Sequence, residues 1–486
     1  MSGIAEGPTI RERAIPHPPP WLIIAAAVLA SSLVGRLLAD GRMKYGLALV
    51  MAACFVPLVL FNLAAALAVY VAILFFQDLS VLSSGPNAIG VLVGLGWIGA
   101  FFGRRGQLAA IGENRRLLLR IVLFCGWLTL SITWAGHPGP AGTEAGYWWL
   151  AAFAFLITLT ALTTPREVGY VALAFVAGSV ISVLIGLATG GLHASADTVN
   201  QTAIQGRFTG GGGDPNVQAA GYVATMFVIM GLIPIYRSRV MRFSLILAFA
   251  LVTVGFLATQ SRGGLLALIV ATVVALIVAP RYRRRILGLG AIVCVAIGVL
   301  LATQPGALSR ITNFGGGSSG RGDLWRVALD VFHDHPFAGV GAGNFEAVEA
   351  HFVLRPGAIS RIQYLVDVPH LVHNTYLQLL AETGVVGLAL YLLVVIGSLR
   401  ATWFAVKRFE ARGRPELADL ARAVLMGTVA MLVALFFISD GDDIRLWVLL
   451  GMGPALLTIA GQMGAAPGRP RAVRRRRARA APAGLR

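Results

Sequence analysis

Charge and cysteine are both scarce in this sequence. Only 13% of its 486 residues are charged, and it has three cysteines. Cys54, Cys125 and Cys294 stand singly inside apolar runs, without metal-ligand spacing or a pairing partner, which predicts inert packing residues. The sequence also lacks a Walker lysine motif and an HExxH motif, so it gives no support to an ATPase or a zinc protease.

Long apolar runs account for most of the chain. Hydrophobic residues make up 57% of it, and they come in uninterrupted runs of about 20 residues. Runs of that length suit membrane-crossing helices, which satisfy their own backbone hydrogen bonds, whereas a transmembrane barrel needs alternating segments of about 10 residues. We therefore predict an all-α polytopic membrane protein with about 12 to 14 transmembrane helices.

The positive charge lies beside these runs. The formal net charge is +18, but the basic residues cluster in short loops such as 104–120, 237–242 and 281–285 and in the C-terminal tail. This distribution is typical of the cytoplasmic side of a membrane protein, with a tail that rests on anionic lipid, and it does not indicate a nucleic-acid partner. The predicted order is a cytoplasmic N-terminal segment (1–20), transmembrane helices (21–303), a large extracytoplasmic loop (304–373), further transmembrane helices (374–462) and a basic cytoplasmic tail (463–486).

The number of spans depends on the first hundred residues. The run from Tyr45 to Phe76 is long enough for one tilted span or for two short spans that break at Asn62. We favour an even number of spans and a cytoplasmic N-terminus, although three basic residues between positions 36 and 44 then face the wrong side if the run is split.

The extracytoplasmic loop concentrates the histidines. It holds five of the eight, namely His333, His335, His351, His370 and His373. Its segment GRGDLWRVALDVFHDHPFAGVGAGNF predicts an amphipathic helix followed by a proline-glycine turn. The predicted apolar stripe consists of Leu324, Trp325, Ala328, Leu329 and Phe332, with Arg321 and Arg326 on the polar side. We expect this helix to lie on the membrane surface and to roof a cavity.

Two arginines on the extracytoplasmic side are candidates for substrate binding. Arg207 lies in QGRFTGGGGDPN, and Arg262 lies in ATQSRGGLLAL between two apolar runs. Guanidinium groups bind phosphate oxygens in a bidentate manner and stay charged, so two of them suit a diphosphate. The glycines after Arg207 allow close approach of the backbone, and the Asp214-Pro215-Asn216 sequence predicts the start of the next helix. The alternative is that both arginines anchor hairpin ends at the lipid headgroups.

A histidine stands where the loop returns to the membrane. His373 and the adjacent Asn374 begin the next apolar run, and a neutral imidazole there would accept a proton from a hydroxyl nucleophile. The alternative is that His373 only caps the helix or lies at the membrane interface, without a catalytic role. Asp367, His370 and His373 also have the D-x-x-H-x-x-H spacing of some metal sites. Pro369 breaks the helix that would align them, so we expect no metal there.

The loop and the helix after it resemble the O-antigen ligase and O-antigen polymerase superfamily of bacterial membrane glycosyltransferases. The stretches that carry the resemblance are GRGDLWRVALDVFHDHPFAGVGAGNF and HNTYLQLLAETGVVGLALYLL, with two more apolar runs after them. The resemblance implies a GT-C-like helical fold that needs no cofactor. It also implies transfer of a glycan from a polyprenyl (undecaprenyl) diphosphate carrier to an acceptor hydroxyl, without a metal ion and with inversion of the anomeric centre.

The resemblance further implies roles and partners. The family's essential arginines correspond to Arg207 and Arg262, and its essential histidine corresponds to His373. Candidate supporting residues are Asn374, Arg321, Trp325 and His370. The implied partners are the lipid-linked donor, a glycan or lipid A-core acceptor, and membrane lipids, with the site at the periplasmic face of a bacterial inner membrane.

Several functions share these features. The acceptor would be lipid A-core sugar for a ligase, a growing polysaccharide for a polymerase, or a protein hydroxyl for a protein O-oligosaccharyltransferase. A transporter of lipid-linked glycan would also use arginines and many helices, but we would then expect internal repeats and helices broken at mid-membrane. The polar residues gather on one face and no convincing repeat is visible, which favours an enzyme.

Overall fold

The fold is helical throughout the part of the chain that the structure describes. The computed structural model describes residues 62–76, 110–190, 207–278, 283–303, 321–355 and 370–463, with isolated residues outside these ranges. Within them all regular secondary structure is helix, and six helices are long and apolar enough to cross a membrane. The predicted all-α polytopic membrane protein is confirmed. The predicted N-terminal segment (1–20) and the tail beyond residue 463 lie outside the described residues.

The chain divides into two units, residues 1–61 and residues 62–486. In the first unit the described residues, such as Ser32, Arg36 and Phe55, are helical. In the second unit residues 94, 97 and 110–113 are helical, and the other described helices are thirteen in number. They are α1 (Leu63–Ile73), α2 (Arg115–Ser131), α3 (Pro138–Ala161), α4 (Pro165–Gly190), α5 (Pro215–Leu232), α6 (Arg239–Ala258), α7 (Arg262–Val278), α8 (Arg283–Thr303), α9 (Arg321–Asp334), α10 (Phe345–Val353), α11 (Thr375–Ala411), α12 (Pro415–Ala434) and α13 (Ile444–Gln462). The six membrane-crossing candidates are α3, α4, α6, α11, α12 and α13.

Helix α1 begins at the break that the sequence allows. The side chain of Asn62 accepts a hydrogen bond from the Ala65 N–H at 3.1 Å and caps the helix. A helix therefore starts at Leu63, inside the run whose division was left open. The total number of spans stays a prediction, because most of residues 77–109 lie outside the described part.

Helices α5 and α13 form the centre of the second unit. Helix α5 packs against α12 and α6, and α13 packs against α11 and α3. Nearly all of their residues are buried, including the large side chains of Tyr222 and Trp447. A helix that is apolar all round is covered by its neighbours. Helices α6 and α7 instead keep one apolar face exposed, with Phe243, Leu247 and Ile277 on it, and this face suits contact with lipid tails.

The two ends of the bundle differ in charge. At one end Arg285 Nη1 lies 3.4 Å from Asp419 Oδ2, and Arg422 Nη1 lies 2.8 Å from Asp419 Oδ1. At the other end the loops before α5, α7, α11 and α13 come together, and the Thr375 N–H donates to the Ile438 carbonyl at 3.0 Å. The basic segment near Arg285 and these polar loops therefore lie at opposite ends of the bundle, and the side of the membrane that each end faces stays a prediction.

Helix α11 contains a break that the sequence analysis did not predict. Gly384 has φ 66° and ψ −172°, and a Cβ there would lie 2.1 Å from the Phe337 carbonyl oxygen, so only glycine fits. The Gly341 N–H from the loop after α9 donates to the Glu382 carbonyl at 2.8 Å. Loop backbone thus takes up a hydrogen bond that the broken helix cannot make.

The amphipathic helix is present as α9, but its buried face differs from the prediction. The buried residues are Leu324, Val327, Ala328 and Val331. They pack with residues of α10 and α11 in one hydrophobic cluster. Leu329 is exposed and Phe332 is only partly buried, so the predicted stripe is wrong at these two positions. Two neighbouring faces of α9 are apolar, and packing against α11 selects one of them.

Candidate functional site

The loop before α5 holds Arg207 at the polar end of the bundle. The Arg207 side chain is half-buried, and its Nε donates to the Thr259 carbonyl at 2.9 Å. Its Nη2 donates to Asn216 Oδ1 at 2.8 Å. The next residue, Phe208, is fully buried, and its N–H donates to the Ala258 carbonyl at 3.2 Å. The loop is therefore fixed to the C-terminal end of α6.

The glycines that follow Arg207 make a tight turn against α4 and α5. Gly210 has φ 59°, and Gly211 has φ 83°. A Cβ on Gly210 would lie 2.2 Å from the Tyr222 hydroxyl oxygen, and the Ser182 hydroxyl donates to the Gly210 carbonyl. Glycine is thus required for conformation and for space. Asp214 then caps α5 by accepting from the Asn216 N–H at 2.6 Å, so the predicted helix start is confirmed.

A short turn between α6 and α7 presents Arg262. Gln260 has φ 50°, and Ser261 caps α7, because its Oγ accepts from the Gly264 N–H at 3.1 Å. The same Oγ donates to Asn216 Oδ1 at 2.9 Å. Since Asn216 Oδ1 also accepts from Arg207, one amide oxygen joins the two arginine-bearing loops. Arg262 is exposed as the first residue of α7.

His373 lies in the short segment before α11. Its backbone is left-handed, with φ 53°, and its side chain is half-buried. Asn374 caps α11 by accepting from the N–H groups of Tyr376 at 3.1 Å and Leu377 at 3.2 Å. Trp325 Nε1 donates to the carbonyl of the neighbouring Val372 at 3.2 Å. Two of the predicted supporting residues, Asn374 and Trp325, therefore hold the backbone on either side of His373.

Electrostatics connect the arginines with the histidine. Burial and the positive charge of Arg321 lower the pKa of His373 below its usual value; the Asp214 carboxylate opposes this shift, and His370 adds to it. Burial and the charge of Arg262 lower the pKa of Arg321, and Asp214 again acts in the opposite direction. Asp214, which caps α5, therefore acts on both Arg321 and His373, and Arg262 acts on Arg321.

A comparison with protein families identifies part of this region. Residues 247–392 match the family model described as O-antigen ligase (Wzy_C). The chain carries an O-antigen ligase domain. The resemblance seen in the sequence is confirmed, and the match covers less than a third of the chain. No curated protein matches the sequence.

The ligase domain contains most of the candidate site. It runs from within α6 to within α11, and it includes Arg262, Arg321 and His373. Arg207 lies before the matched segment, but its hydrogen bond to Thr259 brings it to the ligase domain. The sequence pattern placed these residues far apart along the chain, and the fold brings them to one end of the bundle.

Three features of the candidate site and its surroundings were missed or underestimated from the sequence. Arg321 was given a positional role, whereas its charge acts directly on His373. Asn216 was noted only as part of a helix start, and it bonds to both Arg207 and Ser261. Glu349, in α10, was not singled out. No motif marks Glu349, because its relevance comes only from its contact with residues far along the chain.

The D-x-x-H-x-x-H spacing, where no metal was expected, lies only partly within the described residues. Asp367 lies outside the described residues. Among the residues that are described, no group of three histidine, cysteine or acidic side chains is arranged to hold a metal ion. His370 instead contacts Glu349, with its Nδ1 3.9 Å from Glu349 Oε1.

Proposed function

We propose that this protein is an inverting glycosyltransferase that moves a glycan from undecaprenyl diphosphate to an acceptor hydroxyl such as that of lipid A-core, at the periplasmic face of a bacterial inner membrane. The observation that carries the proposal is the grouping of Arg207, Arg262, Arg321 and His373 at one polar end of a membrane bundle. The match of residues 247–392 to the O-antigen ligase family supports the same class of reaction.

Arg207 and Arg262 would bind the diphosphate of the donor. Guanidinium groups donate paired hydrogen bonds to phosphate oxygens and remain charged at all relevant pH values. Arg207 is already oriented by Thr259 and Asn216, so little side-chain freedom is lost on binding. Negative charge grows on the diphosphate as the sugar leaves, and positive groups fixed beside it stabilise the transition state more than the ground state.

His373 would act as the general base. The lowered pKa keeps its imidazole neutral at pH 7, so a ring nitrogen is free to accept a proton. The acceptor O–H gives its proton to this nitrogen while the oxygen attacks the anomeric carbon. The bond between that carbon and the diphosphate oxygen breaks on the opposite side, and its electron pair leaves with the diphosphate. A single displacement of this kind inverts the anomeric centre.

A ligase, a polymerase and a protein O-oligosaccharyltransferase would differ in the acceptor that they use. The test is a reaction of purified protein with a polyprenyl-diphosphate oligosaccharide and candidate acceptors, in which released carrier diphosphate and glycan size are measured. Transfer of a single block to lipid A-core indicates a ligase, a ladder of increasing length indicates a polymerase, and a glycosylated protein indicates an O-oligosaccharyltransferase. The absence of carrier release with any of these acceptors would overturn the enzyme proposal and favour a transporter.

The break in α11 bears on the transporter alternative. Transporters use broken helices to line a substrate cavity near mid-membrane. In this protein the break at Gly384 is filled by the loop backbone around Phe337 and Gly341. The broken section is thus packed by protein, so this feature does not favour transport.

The charge of Arg321 should set the pH at which kcat/KM falls on the acid side. Because the neutral imidazole is the active form and its pKa is lowered, kcat/KM should remain high at neutral pH and fall only at a pH below the usual pKa of histidine. Arg321→Gln removes a positive charge beside His373, so the pKa of His373 should rise and the acid-side fall should move to higher pH. Arg326→Gln, an exposed residue on the same helix, is the control and should leave the profile unchanged. An unchanged profile in Arg321→Gln would contradict the assignment of this fall to His373.

A further inference from the structure

A buried glutamate side chain contacts the start of the segment 370–373, which carries His373. Glu349 of α10 is only 2% exposed. Its Oε1 accepts a hydrogen bond from the His370 N–H at 2.7 Å and lies 3.9 Å from His370 Nδ1. Burial of a carboxyl group is costly unless it makes compensating hydrogen bonds. The contact with the His370 backbone is therefore a strong constraint on where the segment begins.

The remainder of the segment is also anchored. The Val372 side chain is fully buried in the cluster formed by α9, α10 and α11, and its carbonyl accepts from Trp325 Nε1. Asn374 caps α11. Between these anchors His373 keeps a left-handed backbone, which a residue with a side chain adopts only when its surroundings impose it. Loss of one anchor should let the His373 backbone relax and move the imidazole.

We propose that Glu349 is a positioning residue, which fixes the His370–His373 segment through the His370 N–H so that the His373 imidazole faces the acceptor hydroxyl. The proposal rests on the function proposed above, since it assumes that His373 is the base. Glu349 itself need not touch either substrate. Its role resembles that of the groups that orient a catalytic histidine in other enzymes, but here it acts on the backbone three residues earlier.

The anchor does not require a negative charge. Burial raises the pKa of Glu349 to about 7, and the neighbouring Glu346 adds to this shift. A carboxyl group keeps an acceptor oxygen whether or not it is protonated, and the amide of glutamine has a similar oxygen at the same distance from the backbone. Glutamine should thus preserve the contact, whereas alanine and the shorter aspartate should lose it.

Kinetics of Glu349 variants test this inference. For Glu349→Ala and Glu349→Asp we expect kcat to fall about 10-fold to 10²-fold, with the donor KM within about threefold of wild type, because the arginine site is intact. Glu349→Gln should retain kcat within about threefold. Glu346→Ala, an exposed glutamate on the same helix, is the matched control and should behave as wild type. Two outcomes would each overturn the inference: loss of activity in Glu349→Gln equal to that in alanine, or wild-type kcat in both Glu349→Ala and Glu349→Asp.

A double variant separates this inference from the proposed function. If Glu349 acts through His373, then Glu349→Ala should cause no further loss in a His373→Ala background, measured by single turnover with radiolabelled donor. An additional loss of about tenfold or more would show an independent role and overturn the inference. Full activity of His373→Ala alone would instead overturn the role of His373 in the proposed function. An inactive His373→Ala with a normal Glu349→Ala would leave that function standing and remove only the positioning role.

Discussion

His373→Ala should lower turnover by about 10²-fold to 10⁴-fold, the usual contribution of a general base. The donor KM should change little, because the arginines proposed to bind the diphosphate are on other segments. The measurement is release of carrier diphosphate by purified protein, with binding of the lipid-linked donor measured in parallel to show that the variant is folded.

The control for this variant is His351→Ala. His351 is an exposed histidine of α10, in the same long segment between α8 and α11, so its replacement should leave turnover unchanged. If His373→Ala retained wild-type turnover, the histidine would be a structural residue at the start of α11, which is the alternative that the sequence left open.

Replacement of Arg207 or Arg262 should be the next most damaging change. Removal of one preorganised donor to a developing anion typically costs about 10²-fold to 10³-fold in rate, and we expect losses in kcat/KM of that size for Arg207→Ala and for Arg262→Ala. Lysine should restore activity only in part, because an ammonium group cannot donate the paired hydrogen bonds of guanidinium. Steady-state kinetics with varied donor concentration measure both effects.

The arginine variants need a structural check. Arg207 also bonds to Thr259 and Asn216, so its loss will loosen the loop before α5. Thermal unfolding should accompany each assay, and Arg326→Ala, at an exposed position of α9, provides a control for the loss of one positive charge. Unchanged kinetics in both Arg207→Ala and Arg262→Ala would mean that these residues only anchor the loops at the headgroups.

Much of the fold could be predicted because the bilayer restricts the options. Apolar runs of about 20 residues are stable in lipid as helices, because helices satisfy their own backbone hydrogen bonds. The positive charge of a loop then predicts the side of the membrane on which the loop lies. Local signals were also sufficient at some helix starts. Asp214 followed by proline predicted the start of α5, and Asn62 marked the start of α1.

The features that were missed depend on contacts between distant segments. The break at Gly384 exists because a loop some forty residues earlier packs against α11, and glycine alone does not identify such a break. The buried face of α9 was misplaced at Leu329 and Phe332, since two adjacent faces are apolar and only packing decides between them. Glu349 looks like an ordinary surface glutamate until the fold places it against His370.

The sequence proposed the residues of the candidate site but not their arrangement. The family resemblance assigned Arg207, Arg262 and His373 one by one. It did not indicate that Asn216 would join the two arginine-bearing loops, or that Arg321 would act on the pKa of His373. These relations require the three-dimensional structure, and they bring separate residues together in one candidate site.

The most direct test of the central claim is a cryo-electron microscopy structure of the protein in a lipid nanodisc with undecaprenyl diphosphate. We expect the diphosphate at hydrogen-bonding distance from the guanidinium groups of Arg207 and Arg262, with the terminal phosphate, which bears the sugar in the donor, directed toward His373. A diphosphate bound at the opposite, basic end near Arg285, with no density at Arg207 and Arg262, would contradict the proposed site.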